Sequence, residues 1–201
     1  TFGAPEILAP LVETNGLVFP YTPTILIQHT ANYDALSPTH SNYPFPQYQN
    51  SQIEDLVITG DFFCENAKDA QYWTAMVHYL RSVTKMNYGL DGDAGAPPPI
   101  VKLTGYGDFV FPNVPVVIRN FTVDLPADVD YIKTQITGDV RLKDGGVDKT
   151  IPGKAGWAPV QSQVSITVTP IYSRAKTSQF SLTSFINGGY LGGSGNGSGF
   201  I

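Results

Sequence analysis

Residues able to do chemistry are few in this chain, and their spacing is unhelpful. The three histidines are His29, His40 and His78. The surrounding patterns put the first in a strand, the second in a loop and the third on a helix, and no cysteine lies near them, so metal-ligand spacing is missing. A Ser-His-Asp relay needs its members within hydrogen-bond reach, and no local motif brings them there. "DGDAG" (Asp91 to Gly95) begins like a calcium loop, but Lys102 occupies the position of the closing bidentate glutamate. Asp128 and Asp130 stand two apart in "PADVDY", which reads better as a solvated turn than as a carboxylate pair. Gly105-Tyr106-Gly107 and the C-terminal glycines lack the strand-to-helix setting of a phosphate loop. Cys64, the single cysteine, leaves no disulfide framework and reads as a small packed hydrophobe rather than a nucleophile. Asn120-Phe121-Thr122 and Asn196-Gly197-Ser198 are glycosylation sequons only in a eukaryotic secretory setting. The expectation is a non-enzyme with no metal or cofactor, whose role is structural or binding.

Composition points the same way. Charged residues make up 14% of the 201 positions, well below the roughly 25% usual for soluble domains. With 11 Tyr, 11 Phe, 20 Gly and 16 Pro, the chain reads as all-β with a surface largely covered by partners. A low-charge secreted β-domain has the same composition. The charge is unevenly laid out. Residues 1–67 hold no Lys or Arg and seven acids, Glu6, Glu13, Asp34, Glu54, Asp55, Asp61 and Glu65. The basic residues lie further along, which would let one end of a subunit attract the other end of a neighbour. No basic groove for nucleic acid is visible, and no apolar run reaches the roughly 20 residues of a membrane span.

The elements that would position these residues follow from periodicity. "TPTILIQHT" reads as a strand. "SNYPFPQYQNS" (Ser41 to Ser51) reads as an aromatic, proline-rich loop. "IEDLVITGDFF" alternates, with Leu56, Ile58 and Phe62 on one face and Asp55, Thr59 and Asp61 on the other. A helix is expected over about 66–87, with Asn66 as N-cap, Asp69 near the positive end of its dipole and Gly89 as terminator. Its apolar stripe is Trp73, Met76, Val77, Leu80 and Val83. "VPVVIRNFTVDLP" should put Val117, Phe121, Val123 and Leu125 on one face, with Ile118, Asn120, Thr122 and Asp124 on the other. Lys133 to Lys154 reads as a charged, Gly-rich excursion from a strand. In "APVQSQVSITVTPIYSR", Val160, Val164, Ile166 and Val168 alternate with Gln161, Gln163, Ser165, Thr167 and Thr169. The second row is polar yet uncharged. The sum is one mainly β domain over 1–180, a sandwich or barrel with one flanking helix, followed by a Gly/Ser-rich arm over 181–201. Phe185, Tyr190, Leu191, Phe200 and Ile201 would suit anchoring that arm to another subunit, and a disordered end fits the same composition.

Long phrases in this order resemble one family. They are "FPYTPTILIQHTANYDALSPTHSNYPFPQYQNSQIEDLVITGDF", "NAKDAQYWTAMVHYLRSVTKMNYG", "GAPPPIVKLTGYGDFVFPNVPVVIRNFTVDLPADVDYI", "VTPIYSR" and "FSLTSFINGGYLGGSGNGSGFI". Together they cover most of the chain and resemble the baseplate tail-tube proteins of contractile-tailed bacteriophages, of the tube initiator or tube cap type. Members of that family are usually longer at the N-terminus, so sequence ahead of Thr1 is expected.

The resemblance implies a hexameric ring on the central hub of the baseplate, with strands of all six copies lining a continuous inner β-barrel. Such a ring would template the tail tube protein and stack on a neighbouring tube ring. The tape-measure protein would occupy its channel during assembly, and DNA would cross it in transit only. The implied location is the virion tail baseplate, after assembly in the host cytoplasm, with no membrane insertion. Gln161, Gln163, Ser165, Thr167 and Thr169 become candidate lumen-facing residues, because a neutral wall stays wet without gripping a polyanion. Facing bulk solvent or a neighbouring ring would suit the same pattern. Arg141, Lys143, Lys149 and Lys154 become a candidate ring-stacking loop. The alternative is a carbohydrate-binding β-sandwich, with Tyr43, Phe45, Tyr48 and Trp157 as stacking platforms.

Overall fold

The computed structural model describes residues 6–88, 95–107, 109–135, 140–144, 147–151, 155–190 and 199–201. The protein is mainly β, as composition and alternation suggested. Its elements in order are a 3-10 turn at Glu6–Leu8, then α1 (Ala9–Glu13), β1 (Thr24–Leu26), β2 (His29–Leu36), β3 (Phe45–Ile53), β4 (Leu56–Phe63) and α2 (Ala67–Val83). There follow β5 (Val101–Gly105), β6 (Phe111–Val123), β7 (Tyr131–Gln135), β8 (Val140–Asp144), β9 (Val147–Ile151), β10 (Ala155–Pro159), β11 (Gln161–Pro170), α3 (Arg174–Ser178) and α4 (Leu182–Ile186). One sheet has five strands in the order β1-β4-β11-β6-β5, and β2-β3, β7-β10 and β8-β9 form two-stranded ribbons.

The chain divides into two compact units, and the long strands β4, β6 and β11 contribute residues to each. The first unit comprises Thr1–Thr24, Ile58–Pro99 and Asn120–Ile166. Its centre is α2. Asn66 caps this helix as its side chain accepts from the backbone N–H groups of Lys68 and Asp69. The Asp69 carboxylate accepts in turn from Glu65 N–H, so three backbone donors around the helix start are satisfied. Trp73, Met76, Leu80 and Val83 are buried, and Val77 is half-buried at the rim of the stripe. Ala70 and Ala75 widen the buried face, so helix and strands approach closely there. Each large side chain in this stripe contributes about 1.5–3 kcal/mol by burial. The helix ends at Val83, earlier than the expected residue 87. The Thr84 hydroxyl donates to the carbonyls of Leu80 and Arg81, which terminates the turn locally. Gly89 lies outside the described residues.

Against α2 lie β7 and β10, paired antiparallel from Ala155↔Gln135 to Pro159↔Tyr131. The excursion from β7 therefore returns beside it. Its middle is the β8-β9 hairpin, two paired strands within the expected charged, Gly-rich excursion. Ile58 and Phe62 of β4 and Val164 and Ile166 of β11 complete the core of this unit. Gly60 sits where a Cβ would lie 2.5 Å from the Phe19 ring, so a side chain is excluded by that close approach. The same Phe19 ring tilts against Phe62, with ring centres 5.4 Å apart.

The second unit comprises Ile25–Val57, Ile100–Arg119 and Thr167–Ile201. "TPTILIQHT" is not one strand here. It breaks at Ile27 and Gln28, and His29 starts a new ribbon. The expected Ser41–Ser51 loop is also mostly strand. β2 and β3 pair antiparallel from His29↔Ile53 to Leu36↔Phe45, with Pro46 opposite Ala35. A proline is tolerated in an edge strand, because its missing N–H can face outward. A two-stranded ribbon consists of edges alone. A register shift follows Asn32, where β3 carries the extra residue Gln49.

β5 and β6 form a hairpin whose turn uses Tyr106 at φ 56° and Gly107 at φ 81°. The register slips between Leu103 and Gly105, and Asn113 in β6 has φ 55°. Its side chain accepts from the Thr104 hydroxyl at 3.1 Å. This bulge puts Phe111, Pro112, Val114 and Val116 in the core. Of the expected faces of β6, Phe121 and Val123 are half-buried and Asn120, Thr122 and Asp124 exposed, as the alternation required, whereas Val117 and Ile118 are both half-buried and Leu125 is exposed.

The described residues of the C-terminal segment pack within their own unit. Phe180 stacks on Tyr190 and meets Phe185 and Phe200, and Phe200 stacks on Tyr172 with ring centres 4.5 Å apart. Gly199 N–H donates to Pro112 O at 2.8 Å, and Ile201 N–H donates to the Tyr172 hydroxyl. The expected boundary between 180 and 181 falls inside this aromatic cluster. The anchors Phe185, Tyr190, Phe200 and Ile201 have partners within their own chain, and Leu191 lies outside the described residues.

Candidate functional site

β11 is the middle strand of the five-stranded sheet, and its residues alternate as the sequence pattern required. Ser162, Val164, Ile166 and Val168 are buried. Gln161 and Gln163 are exposed, and Ser165, Thr167 and Thr169 are half-buried. All five candidate lumen-facing residues thus share the uncovered face.

Hydrogen bonds extend that face onto β4. In the first unit the Thr59 and Ser165 hydroxyls are 3.2 Å apart, and Gln163 Nε2 donates to Asp61 Oδ1 at 3.3 Å. In the second unit the Thr169 hydroxyl donates to Asp55 Oδ1, and Arg119 pairs with Asp55 Oδ2 at 2.7 Å. The face is therefore not wholly neutral. Asp55 is balanced by Arg119, while Asp61 is held by a neutral amide. With the arginine largely exposed, that ion pair is worth at most about 1 kcal/mol. A wall of amides, hydroxyls, two carboxylates and one ion-paired guanidinium stays hydrated and offers phosphate little net attraction.

The buried side of β11 holds a contact that alternation alone does not show. Trp73 Nε1–H donates to the Ser162 hydroxyl at 2.8 Å, away from water. The clue in the sequence was a hydroxyl among four aliphatic residues, facing a helix whose tryptophan needs an acceptor.

The other candidates disperse. Arg141 and Lys143 lie on β8 opposite Thr150 and Asp148, whereas Lys149 on β9 is opposite Leu142, out of phase with them. Lys154 lies outside the described residues. Tyr43, Phe45 and Tyr48 are exposed on the β2-β3 ribbon, and Trp157 is exposed on β10, in the other unit. His29 begins β2, His40 occupies the ribbon turn with φ 63°, and His78 is exposed on α2. Asp128 and Asp130 are exposed in a bend.

No protein-family model matches the chain, and no characterised protein matches it.

Cys64 is buried, and its thiol is pushed up to about 11 by burial, with Asp69 adding to the effect. The thiolate needed by a nucleophile is disfavoured at neutral pH. Among the described residues no cluster of His, Cys, Asp and Glu is arranged to hold a metal ion, and no helix is long and apolar enough to cross a membrane.

Proposed function

We propose that this chain is a structural protein of a phage tail baseplate. Six copies form a ring on the central hub, and the ring nucleates polymerisation of the tail tube. Its channel admits the tape-measure protein during assembly and DNA during infection. The observation that carries this reading is the open face of β11. A central strand is packed on one side, while its other side exposes Gln161 and Gln163 and half-covers Ser165, Thr167 and Thr169, with no positive charge of its own and only Arg119, paired with Asp55, beside it. An inner wall needs this chemistry, since each lysine facing DNA would add a salt-dependent phosphate contact. Closure of the sheet edges β1 and β5 by neighbouring copies would remove the aggregation hazard that free edges carry.

Native mass spectrometry of the chain, alone and mixed with its tail-tube partner, tests the ring; a six-fold species or a co-complex is expected. In the virion, Gln163→Lys with Thr167→Lys should leave rings intact and slow DNA ejection. Normal ejection would remove β11 from the channel wall. A monomer retained on polysaccharide would favour the carbohydrate-binding reading, for which the exposed Tyr43, Phe45 and Tyr48 supply the aromatic platforms.

A further inference from the structure

The second unit contains a groove of about 560 Å³ that the channel reading leaves without a task. Its walls are Ile27, Phe109, Phe185, Ile186 and Phe200, with His29 at one side. A volume in this range is typical of sites that hold a ligand of several rings.

The same unit also carries the segment Tyr43-Pro44-Phe45-Pro46 at the far end of the β2-β3 ribbon. Tyr43 is 79% exposed and Phe45 60% exposed, and neither lines the groove. His29 lines the groove and is also the first paired residue of the ribbon, while Phe45 pairs with Leu36 at the last. Eight strand residues span about 25 Å at 3.3 Å each. Each chain thus holds an aromatic-lined groove at one end of a ribbon and an exposed aromatic segment at the other.

We propose that the groove of one copy takes the Tyr43–Pro46 segment of a second copy. The proposal rests on the self-assembly in the ring reading and names one contact that produces it. Proline-flanked segments are extended before they bind, lose little entropy, and dock on aromatic-lined grooves. Pro44 and Pro46 have no N–H to desolvate, so recognition falls to their carbonyls, and His29 and Asn187 at the groove carry donors for them. The contact joins two different surfaces, so it either propagates head-to-tail into a ring or filament or closes reciprocally as a two-fold pair, and the ring reading requires the first. Two aromatic side chains bury about 150–250 Å² each, which is below the roughly 800 Å² per partner of a stable pair. A lone dimer is therefore weak. A closed ring gives every copy two such contacts.

The test uses the full chain as wild type, as Tyr43→Ser with Phe45→Ser, and as Ile186→Asp. All three positions are exposed, so the fold tolerates the changes. A fluorescent peptide of residues 41–48, SNYPFPQY, reads the groove, and sedimentation velocity reads association. The peptide should bind the ribbon variant at least as well as the wild type, whose grooves a neighbour's segment can fill, and affinity should fall roughly thirtyfold or more in Ile186→Asp. The ribbon variant should sediment as a monomer where the wild type associates. If both sediment alike as rings, the ring reading survives and this contact is lost. A peptide that fails to bind at about millimolar concentration also overturns the contact, as does a scrambled peptide that binds equally well, which would point to a foreign proline-rich partner. A monomeric wild type whose groove binds SNYPFPQY selectively keeps the contact as a weak one and removes the ring.

Discussion

β11 and the β2-β3 ribbon are built from similar material and end in opposite conditions. Both alternate β-formers with polar residues, and both run for eight residues or more. β11 buries every second residue. In β3 every residue from Phe45 to Gln52 is exposed, and β2 has only Thr30 and Asn32 half-covered. A two-stranded ribbon with neither face covered is marginal in water. What holds this one is a series of cross-strand pairs. Asn32 bonds Asn50 at 2.8 Å, Tyr33 packs edge-on against Tyr48, and Gln49 donates to Asp34. Each such pair contributes about 0.2–1 kcal/mol. The first unit folds on its own apolar stripe; the ribbon carries apolar surface that folding leaves uncovered. That contrast separates residues that build the core from residues that folding leaves uncovered.

The contrast is most easily broken at the core. Leu80→Ala should lower unfolding free energy by about 2–5 kcal/mol, because Leu80 is fully buried in the α2 stripe. Denaturant titration measures it, and a loss below about 1 kcal/mol would mean that the stripe does not hold the unit together. Gly60→Ala should cost about 1–3 kcal/mol, since its Cβ collides with the Phe19 ring. Ser162→Ala should cost about 1–2 kcal/mol by leaving the Trp73 N–H unpaired, and should shift the buried indole's fluorescence.

The thiol gives a smaller, pH-dependent effect. Cys64 has a raised pKa in the folded chain, so its contribution is fully present below the unfolded value near 9 and is lost as pH rises toward about 11. Cys64→Ala should flatten the stability profile across that window relative to wild type. Least of all, Tyr43→Ser with Phe45→Ser should change stability by no more than about 0.5 kcal/mol. A large destabilisation there would show that the ribbon belongs to the core after all.

Local periodicity made part of this arrangement readable in advance. The α2 stripe, the Asn66 cap and the two faces of β11 rest on short-range rules, and the folded chain keeps them. What escaped depends on phase and partners. In β6 the burial phase of Phe111 to Val116 changes at Val117 and Ile118, both half-buried, and alternation read from Val117 onward could not show that crossing, although it placed Phe121 and Val123 against Asn120, Thr122 and Asp124 as observed. Pro44 and Pro46 suggested a loop, yet an edge strand accommodates prolines. The glycines near the C-terminus suggested a loose arm, but five aromatic rings between Tyr172 and Phe200 gather around one another. The open face of β11 was legible as a row of residues. Its link to Asp55, Thr59 and Asp61 was not, because those partners are more than 100 positions away.

The two tryptophans differ as sharply as the two regions do. Trp73 is sealed and hydrogen-bonded, while Trp157 is 60% exposed on β10. Iodide would quench the emission of the second and spare the first, so one cuvette holds two independent optical signals. The protected indole reports whether the first unit is intact. The accessible one reports whatever comes to lie over β10, without any dye being attached.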